Sequence, residues 1–146
     1  MKIAIGSDHA GFKLKEEIKK FLKEKGIEVV DFGTHSEDRV DYPDYAIPLA
    51  ESVARGEEDF GILICGTGIG MSIAANKVKG IRASLVSDVY SAHSAREHNN
   101  ANILCMGGRV LGVELAKDIT NAWLNASFMG GRHERRINKI SEYEQK

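Results

Sequence analysis

The stretch Phe60-Gly61-Ile62-Leu63-Ile64-Cys65, followed at once by Gly66-Thr67-Gly68-Ile69-Gly70, decides how the rest of the chain is read. Its first half is apolar without interruption, so a strand built from it is buried on both faces. Strands of that kind belong to parallel sheets with a layer of helices on each side. The glycines that end the run predict an abrupt junction from strand to helix, with a short helix continuing to Asn76.

The same unit recurs on both sides of this stretch. Upstream, an apolar run at 2–6 meets Gly6-Ser7-Asp8-His9-Ala10-Gly11. Phe12, Leu14, Ile18, Phe21 and Leu22 then recur at helical spacing until Lys25-Gly26. The Val- and Ile-rich run at 27–32 predicts a second strand. The polar stretch 33–41 leads into a helix over 42–55, with Pro43 tolerated in its first turn. Downstream, strands at 81–86 and 103–106 alternate with helices at 88–97 and 113–126, and the charged tail 132–146 predicts a last helix after Gly130-Gly131. Strict alternation of this kind predicts an α/β fold with three α/β/α layers, Rossmann-like, around a five-stranded parallel sheet and ending in a charged C-terminal helix. No repeat, low-complexity segment or linker interrupts the pattern, so residues 1–146 read as a single domain. Ligands in such sheets bind outside the carboxyl ends of the strands, at the topological switch point. The reading puts Ser7-Asp8-His9, Cys65–Gly70, Ser87-Asp88, His98-Asn99-Asn100 and Gly107-Gly108-Arg109 all at ends of that kind.

Bulk composition narrows the classes of function. The chain has 146 residues, 42% hydrophobic and 28% charged, as in a globular protein with a core of its own. Twenty Lys and Arg against 21 Asp and Glu leave a formal net charge of −1. That balance gives no general drive toward nucleic acid or an anionic membrane, and neither is expected as a partner. Any anion must be held by a local cluster. Cys65 and Cys105 lie inside apolar runs, where free buried thiols are expected. No C-x-x-C pair or His/Cys cluster has zinc spacing, so no metal is expected. The N-terminus has no signal-peptide core and no run approaches a membrane span, which predicts a cytoplasmic location.

For chemistry, Cys65–Gly70 is the most informative stretch. Glycines after a strand let backbone N–H groups converge on an anion, and the dipole of the following helix adds positive potential. The same potential favours the thiolate of a nearby cysteine, so one turn can supply a base and an oxyanion hole. Packing is the competing reading for a cysteine that ends a buried strand. A nucleotide loop is another, but Met71 stands where a phosphate-binding loop requires Lys and a dinucleotide fingerprint requires its third glycine or an alanine. No arginine between Cys65 and Gly70 closes the loop as a cysteine phosphatase would need.

Other residues carry paired readings. Asp8 and His9 bring an acid and an imidazole after the first strand, where Ser7 or Asp8 also suits an N-cap. Asp31, ending the second strand, occupies the place of a ribose-binding acid in dinucleotide folds, without their glycine fingerprint. His98-Asn99-Asn100 reads as a solvated or capping loop, or as part of a site. Arg132 and Arg136 share a helical face, which suits a fork grip on phosphate as well as a solvated basic surface. A thiol, a glycine loop, an acid, two histidines and an arginine pair together point to an anion-handling site.

With these residues in view, the sequence resembles the type B ribose-5-phosphate isomerases, a family that also includes galactose-6-phosphate isomerase subunits and allose-6-phosphate isomerases. The matching stretches are Gly-Ser-Asp-His-Ala-Gly (6–11), Asp-Tyr-Pro-Asp-Tyr (41–45), Cys-Gly-Thr-Gly-Ile-Gly-Met-Ser-Ile-Ala-Ala-Asn-Lys (65–77), Gly-Ile-Arg-Ala (80–83), His-Asn-Asn-Ala-Asn (98–102), Gly-Gly-Arg (107–109) and Arg-His-Glu-Arg-Arg (132–136). The resemblance implies a homodimer, sometimes a tetramer, with active sites shared between subunits, a sugar-phosphate substrate and no cofactor. It implies that Cys65 takes the C2 proton, that the amides of Gly66, Gly68, Ile69 and Gly70 hold an enediolate, and that Thr67 moves protons between its oxygens. Asp8 and Tyr42 would line the sugar site, His98 would open the furanose ring and Asn99 would bind a hydroxyl. His9, Arg109, Arg132 and Arg136 would hold the phosphate. A serine-and-glutamate branch of the family differs here, since Ala74-Ala75-Asn76 contains no acid. Six-carbon substrates, a missing second subunit and a nucleotide-binding module are the alternatives.

Overall fold

Alternation along the central strands sorts their side chains onto two faces, and each face has its own core. The structure, a computed structural model, describes residues 1–146. In chain order the elements are β1 (Lys2–Ser7), α1 (Phe12–Glu24), β2 (Glu28–Asp31), α2 (Pro43–Ala54), β3 (Phe60–Cys65), α3 (Ile69–Ala75), β4 (Ala83–Leu85), α4 (Val89–Glu97), β5 (Ile103–Gly107), α5 (Val113–Asn125) and α6 (Arg132–Glu144). Ile3, Ile5, Ile62, Ile64, Leu104 and Met106 face α1, α4 and α5, packing with Leu14, Ile18 and Trp123. Their neighbours Ala4, Leu63, Cys65, Ile103 and Cys105 face α2 and α3, with Leu49, Ala50, Met71 and Ala75. The period of two is that of a pleated strand covered on both sides. Each fully buried Leu or Ile in these cores contributes roughly 1.5–3 kcal/mol relative to an exposed one.

The sheet order is β2-β1-β3-β5-β4, with every pair parallel. The chain leaves β1 toward one edge to form β2, then crosses to the other side of β1 to form β3. The switch point therefore lies between the carboxyl ends of β1 and β3, beside Ser7-Asp8 and Cys65.

At the far edge, β4 holds only three residues where the sequence predicts a strand over 81–86. It bonds to β5 on one side alone. Two asparagine side chains stand in for further strand pairing. Asn76 donates to Ala83 O at 3.0 Å and accepts from Ala83 N–H at 2.8 Å, and Asn102 does the same between Gly80 O (2.9 Å) and Arg82 N–H (2.8 Å). Amide side chains satisfy the edge without offering a new edge to pair with. α6 stands outside both cores, burying only His133 and Ile137. It is fastened where Gly80 N–H donates to Glu144 Oε1 at 2.8 Å and Met129 N–H donates to Glu97 O at 3.0 Å. No helix is long and apolar enough to cross a membrane.

One expectation is overturned by the parallel sheet. His98-Asn99-Asn100 follow α4 and precede β5. A segment that leads into a parallel strand lies at the amino edge of the sheet, opposite Cys65. The other four polar clusters follow strands and stand at the carboxyl edge.

Candidate active site

At the carboxyl end of β1, Asp8 Oδ1 accepts hydrogen bonds from the N–H groups of Ala10 (2.9 Å) and Gly11 (3.1 Å). Asp8 thus closes the turn that leads into α1, whose own N-cap, Gly11, has no side-chain hydrogen bond, so the N-cap reading does not hold. Both bonds fall on the same oxygen, which leaves Oδ2 for another donor. His9 accepts Val40 N–H on Nδ1 at 3.3 Å. An imidazole accepting on one nitrogen carries its proton on the other, so Nε2 is left as a donor. His9 lines a cavity of about 360 Å³ with Arg39, Val40, Asp41, Asp44 and Tyr45.

Cys65 ends β3 and is 6% exposed, at the rim of the α2/α3 core. Gly68 N–H donates to its Sγ at 3.2 Å, and Ile69 N–H donates to Thr67 Oγ1 at 3.2 Å. The loop can turn this tightly because Gly68 has φ +83°, where an added Cβ would lie 2.9 Å from the Met106 carbonyl oxygen. Gly70 is held against the ring of Tyr42, whose atoms would come within 2.6 Å of a Cβ there. Tyr42 itself is the N-cap of α2, with Pro43 at its start. From β5, Gly108 N–H donates to Cys65 O (2.8 Å) and Arg109 N–H to Gly66 O (3.0 Å). The Arg109 side chain runs beside Gly66. Asp8, His9, Tyr42, Cys65, Thr67, Arg109 and the glycine loop are thereby brought to one edge. The other cysteine differs: Cys105 is fully buried mid-strand, and burial pushes its thiol well above the ordinary value.

His98, Asn99, Arg132 and Arg136 are not brought to that edge. The register pairs Gly61 with Ile103 and Cys65 with Gly107. At ~3.3 Å per residue the sheet alone separates its edges by roughly 13 Å, and His98 lies beyond the amino end. His98 caps the C-terminus of α4 and stacks on His133, with ring centroids 4.4 Å apart and planes 14° apart. His133 is 8% exposed and its Nε2 has no protein partner. Burial, and then the charges of Arg132, His98 and Arg136, hold its pKa below the usual histidine value. Arg132 and Arg136 sit one turn apart on α6, both exposed.

Asp31 agrees with the missing glycine fingerprint, which argues against a ribose-binding acid. It binds Lys15 Nζ through both oxygens (2.8 and 2.7 Å), Lys19 Nζ at 2.9 Å and Gly33 N–H at 2.8 Å, so it is occupied within the fold and not poised for a ribose. Burial alone would raise its pKa, but the two lysines and the Gly33 amide outweigh that and hold it at about 2. Three residues escape the sequence reading: Arg39 beside His9, and His133 and Arg82 around His98 and Asn100 at the opposite edge. The signal for the first two was proximity, since Arg39 lies two residues before the Asp41-Tyr42 motif and His133 lies between the arginines.

No group of three or more His, Cys, Asp or Glu side chains is arranged to hold a metal ion. The sequence profile of the family described as Ribose/Galactose Isomerase matches residues 3–140. Ribose-5-phosphate isomerase B of Escherichia coli is 57% identical over 99% of this chain and 97% of its own. Among solved structures, Clostridium thermocellum ribose-5-phosphate isomerase B superposes with a TM-score of 0.98 at 59% identity, covering 99% of this chain and 98% of the other. The Mycoplasma genitalium ribose-5-phosphate isomerase B with bound ribulose 5-phosphate gives 0.96 at 46% identity, covering 99% and 97%. With the parallel sheet, its switch-point cysteine and glycine loop already described, these likenesses establish that the chain is an isomerase belonging to the ribose/galactose isomerase family.

Proposed function

We propose that this chain interconverts D-ribose 5-phosphate and D-ribulose 5-phosphate through a cis-enediolate, with Cys65 as the base. The observation that carries the reading is the Cys65–Gly70 turn, a glycine-rich junction from strand to helix in which Gly68 N–H donates to Cys65 Sγ at 3.2 Å. An amide aimed at sulfur suits a thiolate. The Escherichia coli relative and the Mycoplasma genitalium structure, named for ribose 5-phosphate and holding ribulose 5-phosphate respectively, support the substrate.

In this reading the Cys65 thiolate removes the proton from C2 of the opened aldose, and the electron pair moves through C1–C2 to leave the charge on O1. The N–H groups of Gly66, Gly68, Ile69 and Gly70 meet that charge in fixed positions, where losing one donor costs on the order of 10²–10³ in rate. Thr67 carries a proton between O2 and O1, and the Cys65 thiol returns its proton to C1 to give the ketose. Asp8 Oδ2 and Tyr42 orient the sugar, and His9 Nε2 and Arg109 receive the phosphate. Phosphate held away from the reacting carbons orients them and lowers the entropic part of the barrier.

His98 for ring opening, Asn99 for a hydroxyl, and Arg132 and Arg136 for the phosphate then come from a second copy in a homodimer. The separation of the two edges within one chain supports this. So does the exposed apolar surface beside Cys65, where Ile69 and Ile73 of α3, Leu85 of β4 and Tyr90 of α4 are 50%, 56%, 38% and 78% exposed. Apolar side chains clustered at the rim of a site are suited to a partner, and a two-fold arrangement lets each copy complete the other.

The test uses two inactive variants. Turnover of ribose 5-phosphate falls by about 10²–10⁴ in Cys65→Ala, and His98→Ala is severely impaired. Unfolding and refolding the two together gives mixed dimers with one intact site, restoring up to about a quarter of wild-type activity. No loss in Cys65→Ala removes the base assignment. No recovery on mixing removes the shared site.

A further inference from the structure

Neither Arg82 nor Arg96 forms an ion pair, although Glu144 lies near enough to Arg82 to act on its charge. Arg96 is 8% exposed, with its guanidinium stacked over Phe60 (4.3 Å to the ring centroid) and Trp123 (5.4 Å). Its Nη1 donates to Ala101 O at 2.6 Å and to Asn100 Oδ1 at 3.2 Å, while Nε has no partner. Arg82 Nε donates to Asn100 O at 2.9 Å. Burial lowers the pKa of both guanidiniums, outweighing the Glu144 charge that raises that of Arg82, and the charge of Arg82 lowers that of Arg96 further. Holding two like charges close together, one buried and one half-buried, with no ion pair is costly.

The two guanidiniums converge on Asn100, the one residue other than glycine with positive φ, at +47°. Such a conformation disfavours a side chain and persists where its surroundings dictate it. Here it sets the direction in which the chain leaves α4, immediately after His98 and Asn99. Asn102 fixes the far end of the same turn through Arg82 N–H and Gly80 O.

We propose that Arg82 and Arg96 are positioning residues that clamp Asn100 in its left-handed conformation and so aim His98 and Asn99 out of the amino edge toward the sugar. The proposal rests on the assignment of His98 to ring opening. It says that the turn needs at each position a planar donor held in a fixed direction, which the rotatable ammonium of a lysine does not supply even though it keeps the charge.

The experiment compares two substrates: ribose 5-phosphate, whose furanose ring must open, and erythrose 4-phosphate, which cannot close such a ring. Arg82→Lys and Arg96→Lys are expected to lose about 10- to 100-fold in kcat on ribose 5-phosphate and less than about threefold on erythrose 4-phosphate, because misaiming a group by about 1 Å costs that order of rate. The same contrast separates Asn100→Ala, which loses the left-handed preference, from Asn100→Gly, which keeps it and retains most of the activity. The Asn100 pair also serves where a lysine variant does not fold. Equal losses on the two substrates, or no loss, overturn the clamp. His98→Ala run in parallel separates the two ideas. Selective loss there without selective loss in the arginine variants sinks the clamp alone, while equal loss in His98→Ala sinks the ring-opening assignment and the clamp with it.

Discussion

At the carboxyl edge of the sheet the turn around Cys65 is shaped by backbone, with Gly68 N–H on the sulfur, whereas at the amino edge the turn is shaped by side chains, stacked and bonded around His98 and Asn100. The first edge gets its shape from glycines, which allow the chain to bend where no Cβ fits. The second gets its shape from two guanidiniums, three asparagines and a histidine pair that must each keep their partners. A backbone site is rigid and indifferent to many side-chain changes but intolerant of one added carbon at the turn. A side-chain site is adjustable and more easily loosened.

Gly68→Ala is the most direct way to break the backbone edge. The methyl group would press on Leu85 and on the Met106 carbonyl at 2.9 Å, at φ +83°. The variant is expected to lose on the order of 10²–10³ in ribose 5-phosphate turnover as the Gly68 amide leaves the sulfur. It should also lose about 1–3 kcal/mol of stability, read from urea unfolding. A Gly68→Ala protein that keeps full activity would show that the turn does not depend on this close fit.

Acid should separate the two edges in order. The folded-state pKa of His133 lies below the ordinary 6.5, so the unfolded chain binds a proton more readily there. The contribution of His133 is complete above about 6.5 and falls as pH drops through the lowered folded value. Asp31, at about 2 in the fold against 3.8 without it, contributes fully above about 4 and loses that contribution down to about 2. Asp31 holds the Gly33 amide, and Gly33 O receives Ser7 N–H at 2.7 Å, so this pair braces the carboxyl edge. Amide hydrogen exchange measured from pH 7 down to pH 3 is expected to show α6 and the 98–102 turn opening first, with β1 and β2 protected until below pH 4. Simultaneous loss would show that the edges are not independent, and Asp31→Asn should flatten only the lower window.

The smallest expected effect lies at the tip of α6. Glu144→Ala removes the bond from Gly80 N–H, an exposed contact, and should cost about 0.5–1 kcal/mol. Its signature is fraying of the last turn of α6 in hydrogen exchange, with turnover unchanged. A loss of activity would mean that α6 transmits strain from the β4 edge to Arg132 and Arg136.

The β3 strand and its glycine turn were legible because both are local statements: an unbroken apolar run and a cluster of residues without Cβ. The far edge was less legible. Ile81 and Val86 have the apolar character of a strand, but β4 stops short because it pairs on one side and asparagine side chains satisfy the rest. The position of His98 was implicit in the order of elements, since a loop before a parallel strand cannot share an edge with loops after strands; reading the cluster by its polarity alone misplaced it. Asp31 ends a strand as a ribose-binding acid would, and nothing local announces that Lys15 and Lys19, on a helix more than ten residues earlier, will neutralise it.

The sequence by itself determined the alternation of strands and helices, the parallel sheet with two cores, and the glycine turn that follows Cys65. Those features follow from periodicity and backbone sterics within short windows of chain. Only the tertiary structure decided which polar residues meet: Asp31 with two lysines, Asn100 between two arginines, and His98 on His133, far from Cys65. Contacts between residues distant in sequence depend on how helices pack against the sheet, and one carboxylate or histidine looks the same in the sequence whether it meets solvent, a ligand or a buried cation.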